Sequence, residues 1–288
     1  MDLSIIIASY NTKDLLDRCV SSIYRSLQKS DLMVEIIVVD NSSTDGSVEL
    51  LKTKYPRTVQ ILNKKNVGFG TGNNQGIKKA TGTYILLLNS DIEVLSDSIL
   101  KLYSFITTQP HAFAGGKLLN EDQSSQASCG PMVTIPVVCG MVLLRGDLWG
   151  LTRSSPSRVS RVDWVSGACL IGKKDAFVDT GLFDEGVFMY MEEIELLYRA
   201  KQKGYATLFY PDARFVHSGA ASSASRKEPV VNIYLGLLYF YRKHMPIIDQ
   251  QMLRILLRMK AVIGMGLGRL SGNRELRSTY EKAFSLVR

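Results

Sequence analysis

The chain has 288 residues, 45% of them hydrophobic and 22% charged, with a formal net charge of +8. That ordinary soluble composition supports a substantial core, as one large domain or two closely joined halves. It excludes a membrane-spanning protein, because no run of about 20 apolar residues is present. No basic and apolar leader precedes the first strand at Leu3, which argues against a cleaved signal peptide.

Taken in order, SIIIA (4–8), a helical stretch from about Lys13 to Leu27, VEIIVVD (34–40), a helix from about Gly46 and VQIL (59–62) alternate strand with helix. Such alternation predicts a parallel sheet with helices packed on it. A Gly- and Asn-rich loop with a short helix near Asn73 (66–80), the apolar strand in YILLLNSD (84–91) and a helix near Leu95 to Thr107 complete this half. Beyond about Gly115 the pattern loosens, with Ser-rich stretches at 122–128 and 152–160 that read as surface or substrate-facing loops. A strand over 164–171, an acidic helix over about 188–203 stopped by Gly204 and a strand ending at His217 follow. SGAASSASRKEP (218–229) then reads as a flexible loop able to close over a ligand, and the chain is helical from about Val230.

Cys19, Cys129, Cys139 and Cys169 are widely spaced, with no CxxC pair, and read as small buried hydrophobes in a reducing compartment. The excess positive charge sits late. From Gln251 to Arg288 eight basic residues face only Glu275 and Glu281. Leu253, Leu256, Leu257, Val262 and Ile263 alternate there with Arg254, Arg258 and Lys260, the pattern of an amphipathic interfacial helix. A helix packed on the domain with a solvated basic face fits the same pattern. Gly264, Gly266 and Gly268 weaken either helix by about 1 kcal/mol each relative to Ala.

The residues able to do chemistry fall at strand and helix ends. Asn89, Ser90 and Asp91 close a wholly apolar strand, and a carboxylate at the carboxyl edge of an α/β sheet suits a divalent cation holding a diphosphate. A simple turn uses the same residue types. Asp40 ends the second strand on the same edge if the sheet is parallel; it can accept the imide hydrogen of a pyrimidine or cap a turn. NVGFGTGNNQG (66–76) lacks the GxGxxG spacing of a nicotinamide site, and its glycines allow backbone to approach a nucleotide. Glu192, Glu193 and Glu195 sit early in the acidic helix, where one can serve as base and Glu195 can pair with Arg199. His217 offers an imidazole that can coordinate a metal or serve structurally.

In order, SIIIASYN, VVDNSSTDGS, NVGFGTGNNQGI, LLLNSD, WVSGACLIGKKDAF, GLFDEGVFMYMEEIEL and FVHSGAASS resemble the family 2 glycosyltransferases, most closely their bacterial rhamnosyltransferase-like branch. The resemblance covers roughly Leu3 to Lys243. It implies an α/β GT-A fold, with a Rossmann-like, mostly parallel central sheet flanked by helices and a helical C-terminal extension. The expected organisation is a catalytic domain over 1–248, divided into a nucleotide-binding half (1–115) and an acceptor half (116–248), followed by a basic amphipathic segment (249–288).

By motif, Ala8, Tyr10 and Asp40 correspond to the nucleoside site, and Asn66, Gly68 and Asn74 to the nucleotide cleft. Asn89, Ser90 and Asp91 occupy the DxD position, with Asn89 departing from the usual Asp. Asp91 and His217 are the implied ligands of Mg²⁺ or Mn²⁺. Gly167 and Ala168 match the segment near the transferred sugar, and Trp164 the acceptor cleft. Glu192 and Glu193 stand where the family has a Glu-Asp pair, with Glu193 the implied base and Glu192 the fallback.

The resemblance implies an inverting transfer from a dTDP or UDP sugar, with dTDP-rhamnose the leading donor. The implied acceptor is a glycan or polyprenyl-diphosphate-linked precursor of a bacterial surface polysaccharide. It further implies a cytoplasmic enzyme, peripheral on the inner face of the membrane if the tail meets anionic lipid, or dimeric if the tail pairs with itself. Nucleic acid is not an expected partner. Asn89 and the Glu at position 193 also suit a module that binds nucleotide sugars or glycans without catalysis.

Overall fold

The computed structural model describes residues 1–144, 146, 149–219 and 227–287; the expected ligand-closing loop falls largely outside them, at 220–226. Its centre is one sheet. Strands β1 (Leu3–Ser9), β2 (Val34–Asp40), β3 (Val59–Leu62) and β4 (Tyr84–Asn89) form the parallel block foreseen from the strand and helix alternation, in the order β3-β2-β1-β4. The apolar period of two divides their side chains between two cores. Ile5, Ile7, Val38 and Leu86 pack with α1 (Lys13–Leu27) and α4 (Ser98–Thr107) on one face. Ile6, Ile37, Val39 and Leu87 pack on the other, with Ile77 of α3 (Phe69–Lys79) and Leu196 of α7 (Glu192–Gln202).

Beyond β4 the sheet continues through β11 (Cys169–Lys173), β6 (Ala112–Leu119), β12 (Ala206–His217) and β5 (Ile92–Val94). The pairings β4/β11, β11/β6 and β12/β5 are antiparallel, whereas β6/β12 is parallel. The sheet therefore runs unbroken across position 115. Short strands β7 (Ser125–Gln126) and β9 (Ser160–Val162) pair at its side, and β8 (Cys129–Gly130) with β10 (Trp164–Val165) makes a separate two-stranded sheet. Helices α2 (Ser47–Lys54), α5 (Ile135–Leu143) and α6 (Lys174–Thr180) complete this part of the fold.

Several elements differ from the sequence expectation. The strand expected over 164–171 is β10 and β11, split by a turn in which the Ser166 N–H reaches the Ser128 carbonyl and the Cys169 N–H reaches that of Ser166. This break takes Gly167 out of the sheet and leaves Ala168 tied to its edge through a carbonyl that accepts the Asn89 N–H. The acidic helix starts at Glu192 rather than near 188, because Tyr190 and Met191 adopt φ of 66° and 76°, which a right-handed helix cannot contain. The short helix expected near Asn73 starts at Phe69 and takes in most of the glycines. A Cβ on Gly76 would stand 2.4 Å from Ile6 Cγ2, so the missing side chain lets α3 lie directly on β1.

The C-terminal part consists of α8 (Lys227–His244), α9 (Ile247–Leu270) and α10 (Arg274–Ser285). Ala283 and Val287 join the core formed by Leu253, Leu257 and Ala261 of α9, so this segment is packed on the rest of the molecule. Its glycines act differently from their expected weakening. A Cβ on Gly264 would lie 2.2 Å from the Tyr280 ring, and one on Gly268 would lie 2.7 Å from the Arg277 nitrogen. Both make room for α10, whereas nothing lies within 4 Å of a Cβ on Gly266. All four cysteines are free, and no helix among the described residues is long and apolar enough to cross a membrane.

Candidate active site

Parallel pairing aligns strand ends. Ser9 is in register with Asp40, and Ala8 with Asn89, so the carboxyl ends of β1, β2 and β4 share one edge. Above that edge opens a cleft of about 1000 Å³. Ala8, Tyr10, Asn66, Gly68, Asn89, Ser90, Asp91, Gly167, Ala168, Glu192, Glu193 and His217 all line it. Residues separated by more than 200 positions are thus brought together.

Asp40 and Asn74 stand behind the wall. Asp40 is buried; its Oδ1 accepts the Ser43 N–H at 2.8 Å, as in a turn, while Oδ2 has no partner. Its neighbour Asn41 faces the cleft instead. Asn74 has its amide committed, donating to the Phe183 carbonyl at 2.9 Å and accepting the Phe183 N–H at 2.9 Å. It ties α3 to the segment leading into α7. Gly68 is required where it is: φ is 86°, and a Cβ would fall 2.5 Å from the Phe188 carbonyl oxygen.

A hydroxyl chain joins two strand ends, since Ser9 Oγ and Thr12 Oγ1 are 3.0 Å apart and Thr12 donates to Ser90 at 2.9 Å. Next to it, Asp91 Oδ2 accepts the Gly219 N–H at 3.1 Å and Oδ1 lies 3.4 Å from His217 Nε2. Burial pushes the Asp91 carboxyl up, but the hydrogen bond and charge of His217 outweigh it, leaving the pKa below the ordinary value.

The orientation of His217 is set by Gln126, which the sequence reading passed over. Gln126 Nε2 donates to Asn120 Oδ1 and to the His217 carbonyl, so its Oε1 accepts from His217 Nδ1 at 2.7 Å. With Nδ1–H given to Gln126, a proton on Nε2 makes the bond to Asp91; without that proton the Nε2 lone pair faces Asp91 and Asn89, where a cation can take it. Asn89 Oδ1 is buried without a partner. Among the described residues no three His, Cys, Asp or Glu side chains form a metal cluster. One carboxylate, one imidazole nitrogen and one amide oxygen nevertheless fit a hard divalent ion whose other positions are taken by phosphate oxygens or water.

On the same cleft, α7 presents Glu192 and Glu193 at its first turn. Glu192 is buried, and one carboxylate oxygen of each has no partner. Burial, followed by the charge of Glu193, raises the Glu192 pKa well above its ordinary value; burial also raises that of Glu193, against its backbone and Arg153. A raised carboxyl pKa suits proton transfer near neutrality. Gly167 fits between Glu193 and Phe69, where an added Cβ would meet the ring at 3.2 Å.

Glu195 points away from this pair and anchors the helix. It takes Arg199 as foreseen, with Nη2 at 2.7 Å from Oε2, and adds Lys243 at 2.8 Å and His244 at 2.9 Å from α8. The cleft is also lined by Arg153, and by Thr279 and Lys282 of α10. Trp164 lies there too, its Nε1 donating to the Pro131 carbonyl.

Comparison with known proteins gives a consistent picture. Residues 4–127 match the Glycosyl transferase family 2 model. The chain is 26% identical over 241 residues to an N-acetylglucosaminyl-diphospho-decaprenol L-rhamnosyltransferase of Mycobacterium tuberculosis, covering 77% of each protein. It is 25% identical over 227 residues to the rhamnosyltransferase WbbL of Escherichia coli K12, covering 74% of this chain and 82% of that one. The fold matches a GalNAc-T7 crystal structure with UDP, GalNAc and Mn²⁺ at a TM-score of 0.59 and 19% identity, over all of this chain and 56% of that one. The architecture is GT-A.

Proposed function

This chain is a glycosyltransferase whose residues 4–127 form a family 2 domain, and we propose that it performs a metal-assisted, inverting transfer of a sugar from a nucleotide diphosphate to an acceptor hydroxyl. Residues 1–248 are the catalytic domain of this reading. The observation that carries it is that the Asp91 and His217 pair and the unpartnered carboxylates of Glu192 and Glu193 line one and the same cleft.

The strand-end edge takes the donor. Asp40 lies just behind this edge, and its unpartnered Oδ2 becomes an acceptor for a pyrimidine N–H once the wall that buries it opens, with Ala8, Tyr10, Asn66 and Gly68 enclosing the nucleoside. Asp91, His217 and Asn89 hold the cation. When bound, Mg²⁺ or Mn²⁺ offsets negative charge on the diphosphate. The neighbour's complex with UDP and Mn²⁺ supports that choice of ligands.

Gly167 and Ala168 border the transferred sugar. Glu193 removes the acceptor hydroxyl proton, the oxygen forms a bond to the anomeric carbon, and the bond from that carbon to the diphosphate oxygen breaks. Its electron pair leaves with the diphosphate. One displacement inverts the anomeric centre, and burial at the first turn of α7 raises the Glu193 pKa and so keeps its carboxylate basic.

The names of the Mycobacterium and Escherichia relatives support rhamnose as the transferred sugar, and that of the Mycobacterium relative a polyprenyl-diphosphate-linked N-acetylglucosamine as acceptor; dTDP-rhamnose is the donor of this reading. The deciding experiment incubates the protein with dTDP-rhamnose, UDP-glucose or UDP-N-acetylglucosamine, Mn²⁺ and a diphosphate-linked N-acetylglucosamine lipid, and follows product by mass. Release of dTDP with an added deoxyhexose is expected. Binding of donor without transfer to any acceptor tested would favour the non-catalytic module.

A further inference from the structure

Helix α9 is apolar on two opposite sides. Leu253, Leu257 and Ala261 face the core, yet Ile248, Met252, Ile255, Met259, Val262 and Leu270 are exposed, Leu270 by 87% and Ile248 by 65%. At 100° per residue these six fall on one stripe, roughly opposite the core face, along a helix about 36 Å long. Arg258 and Arg269 lie beside one edge of the stripe, Arg258 with its Nε donating to the Val287 carbonyl. Arg254 and Lys260 lie half-buried farther round towards the core face, from which only their long side chains reach outward. Between Gln251 and Leu270 there is no Asp or Glu.

We propose that this outward face of α9 is the surface by which the protein docks on an anionic lipid bilayer, lying parallel to it. The stripe enters the boundary between headgroups and acyl chains while the flanking cations reach lipid phosphates. Charge selects this occupant over a second copy of the chain. Two α9 helices packed stripe to stripe would set arginine against arginine, with Asp249 in the first turn the one acidic residue of each helix, whereas an anionic surface complements the cations along the rest of it.

One feature of the fold supports the assignment. The Gly264 and Gly268 notches let α10 brace α9 from behind, so the stripe is held as a fixed face. The docking surface is distinct from the cleft residues and is tested without donor or acceptor, so it stands or falls separately from the proposed transfer.

The test sediments the full chain with phosphatidylcholine vesicles containing or lacking phosphatidylglycerol. Wild type is expected to pellet with the anionic vesicles and to be released by salt. Ile255→Glu/Met259→Glu, both exposed, should abolish binding while circular dichroism and Tm stay as in wild type. Arg254→Gln/Lys260→Gln/Arg269→Gln should lower the partition coefficient by roughly a hundredfold. Wild type that ignores anionic vesicles, or folded variants that bind equally well, would overturn the proposal. So would light scattering that shows a wild-type dimer converted to monomer by Ile255→Glu/Met259→Glu, since a second copy would then cover the stripe.

Discussion

Gln126 Oε1 lies 2.7 Å from His217 Nδ1 and fixes which imidazole nitrogen faces Asp91. If that orientation prepares a metal ligand, Gln126→Leu should weaken Mn²⁺ binding by about 10–100-fold. Gln126→Glu, which keeps an acceptor for Nδ1–H, should retain most of the affinity. Calorimetric titration with Mn²⁺ in the presence of dTDP checks both without turnover, and equal affinities for all three proteins would remove the role.

The two first-turn carboxylates of α7 separate by function. Glu193→Gln should lower kcat by about 10²–10⁴-fold with donor affinity retained, as measured by steady-state kinetics and dTDP titration. Glu192→Gln should reduce kcat less.

Stability supplies a second readout for Glu192. Its carboxyl binds a proton more tightly in the folded state, because burial and the charge of Glu193 raise its pKa. Folding thus loses stability as pH rises from the ordinary carboxyl range through the raised folded value, and no such loss exists below about pH 4. Glu192→Gln should therefore show a higher Tm than wild type at pH 8 and the same Tm near pH 4, by calorimetric scans.

Asp40 has one carboxylate oxygen in a turn and the other unpartnered. Asp40→Asn should weaken dTDP and UDP by roughly 1.5–3 kcal/mol while leaving a purine diphosphate little changed. Thermal shift with UDP and GDP makes the comparison, and equal losses for both would argue that Asp40 is only a turn residue.

The glycines of α9 offer a contrast within one helix. Gly264→Ala places a methyl against the Tyr280 ring and should destabilise by about 1–3 kcal/mol, whereas Gly266→Ala meets open space and should stabilise by up to about 1 kcal/mol. Urea denaturation measures both signs.

The parallel half of the fold was legible because each of its strands is an apolar run between helical stretches, and its strand ends carried the donor-side candidates. The antiparallel insertion of β11 between β4 and β6 was not, since CLIGK is as apolar as a parallel strand and carries no mark of direction. Gln126 was invisible for another reason. A glutamine in a polar stretch acquires meaning only when β7 is brought beside His217. Asn74 illustrates the reverse: its motif points to nucleotide, and its amide is spent on backbone 109 residues away. In the tail the amphipathic pattern was readable, but the simultaneous use of one apolar face by the core and the exposure of the other required the packed structure.

The cleft wall draws on positions from Ala8 to Lys282. No fragment of the described chain therefore carries a complete binding surface, and a partly folded molecule has no partial version of it. Ligand affinity becomes a gauge of global assembly: substitutions far from the cleft that let α10 detach from α9 would register first as weakened binding in the cleft, well before the sheet itself comes apart.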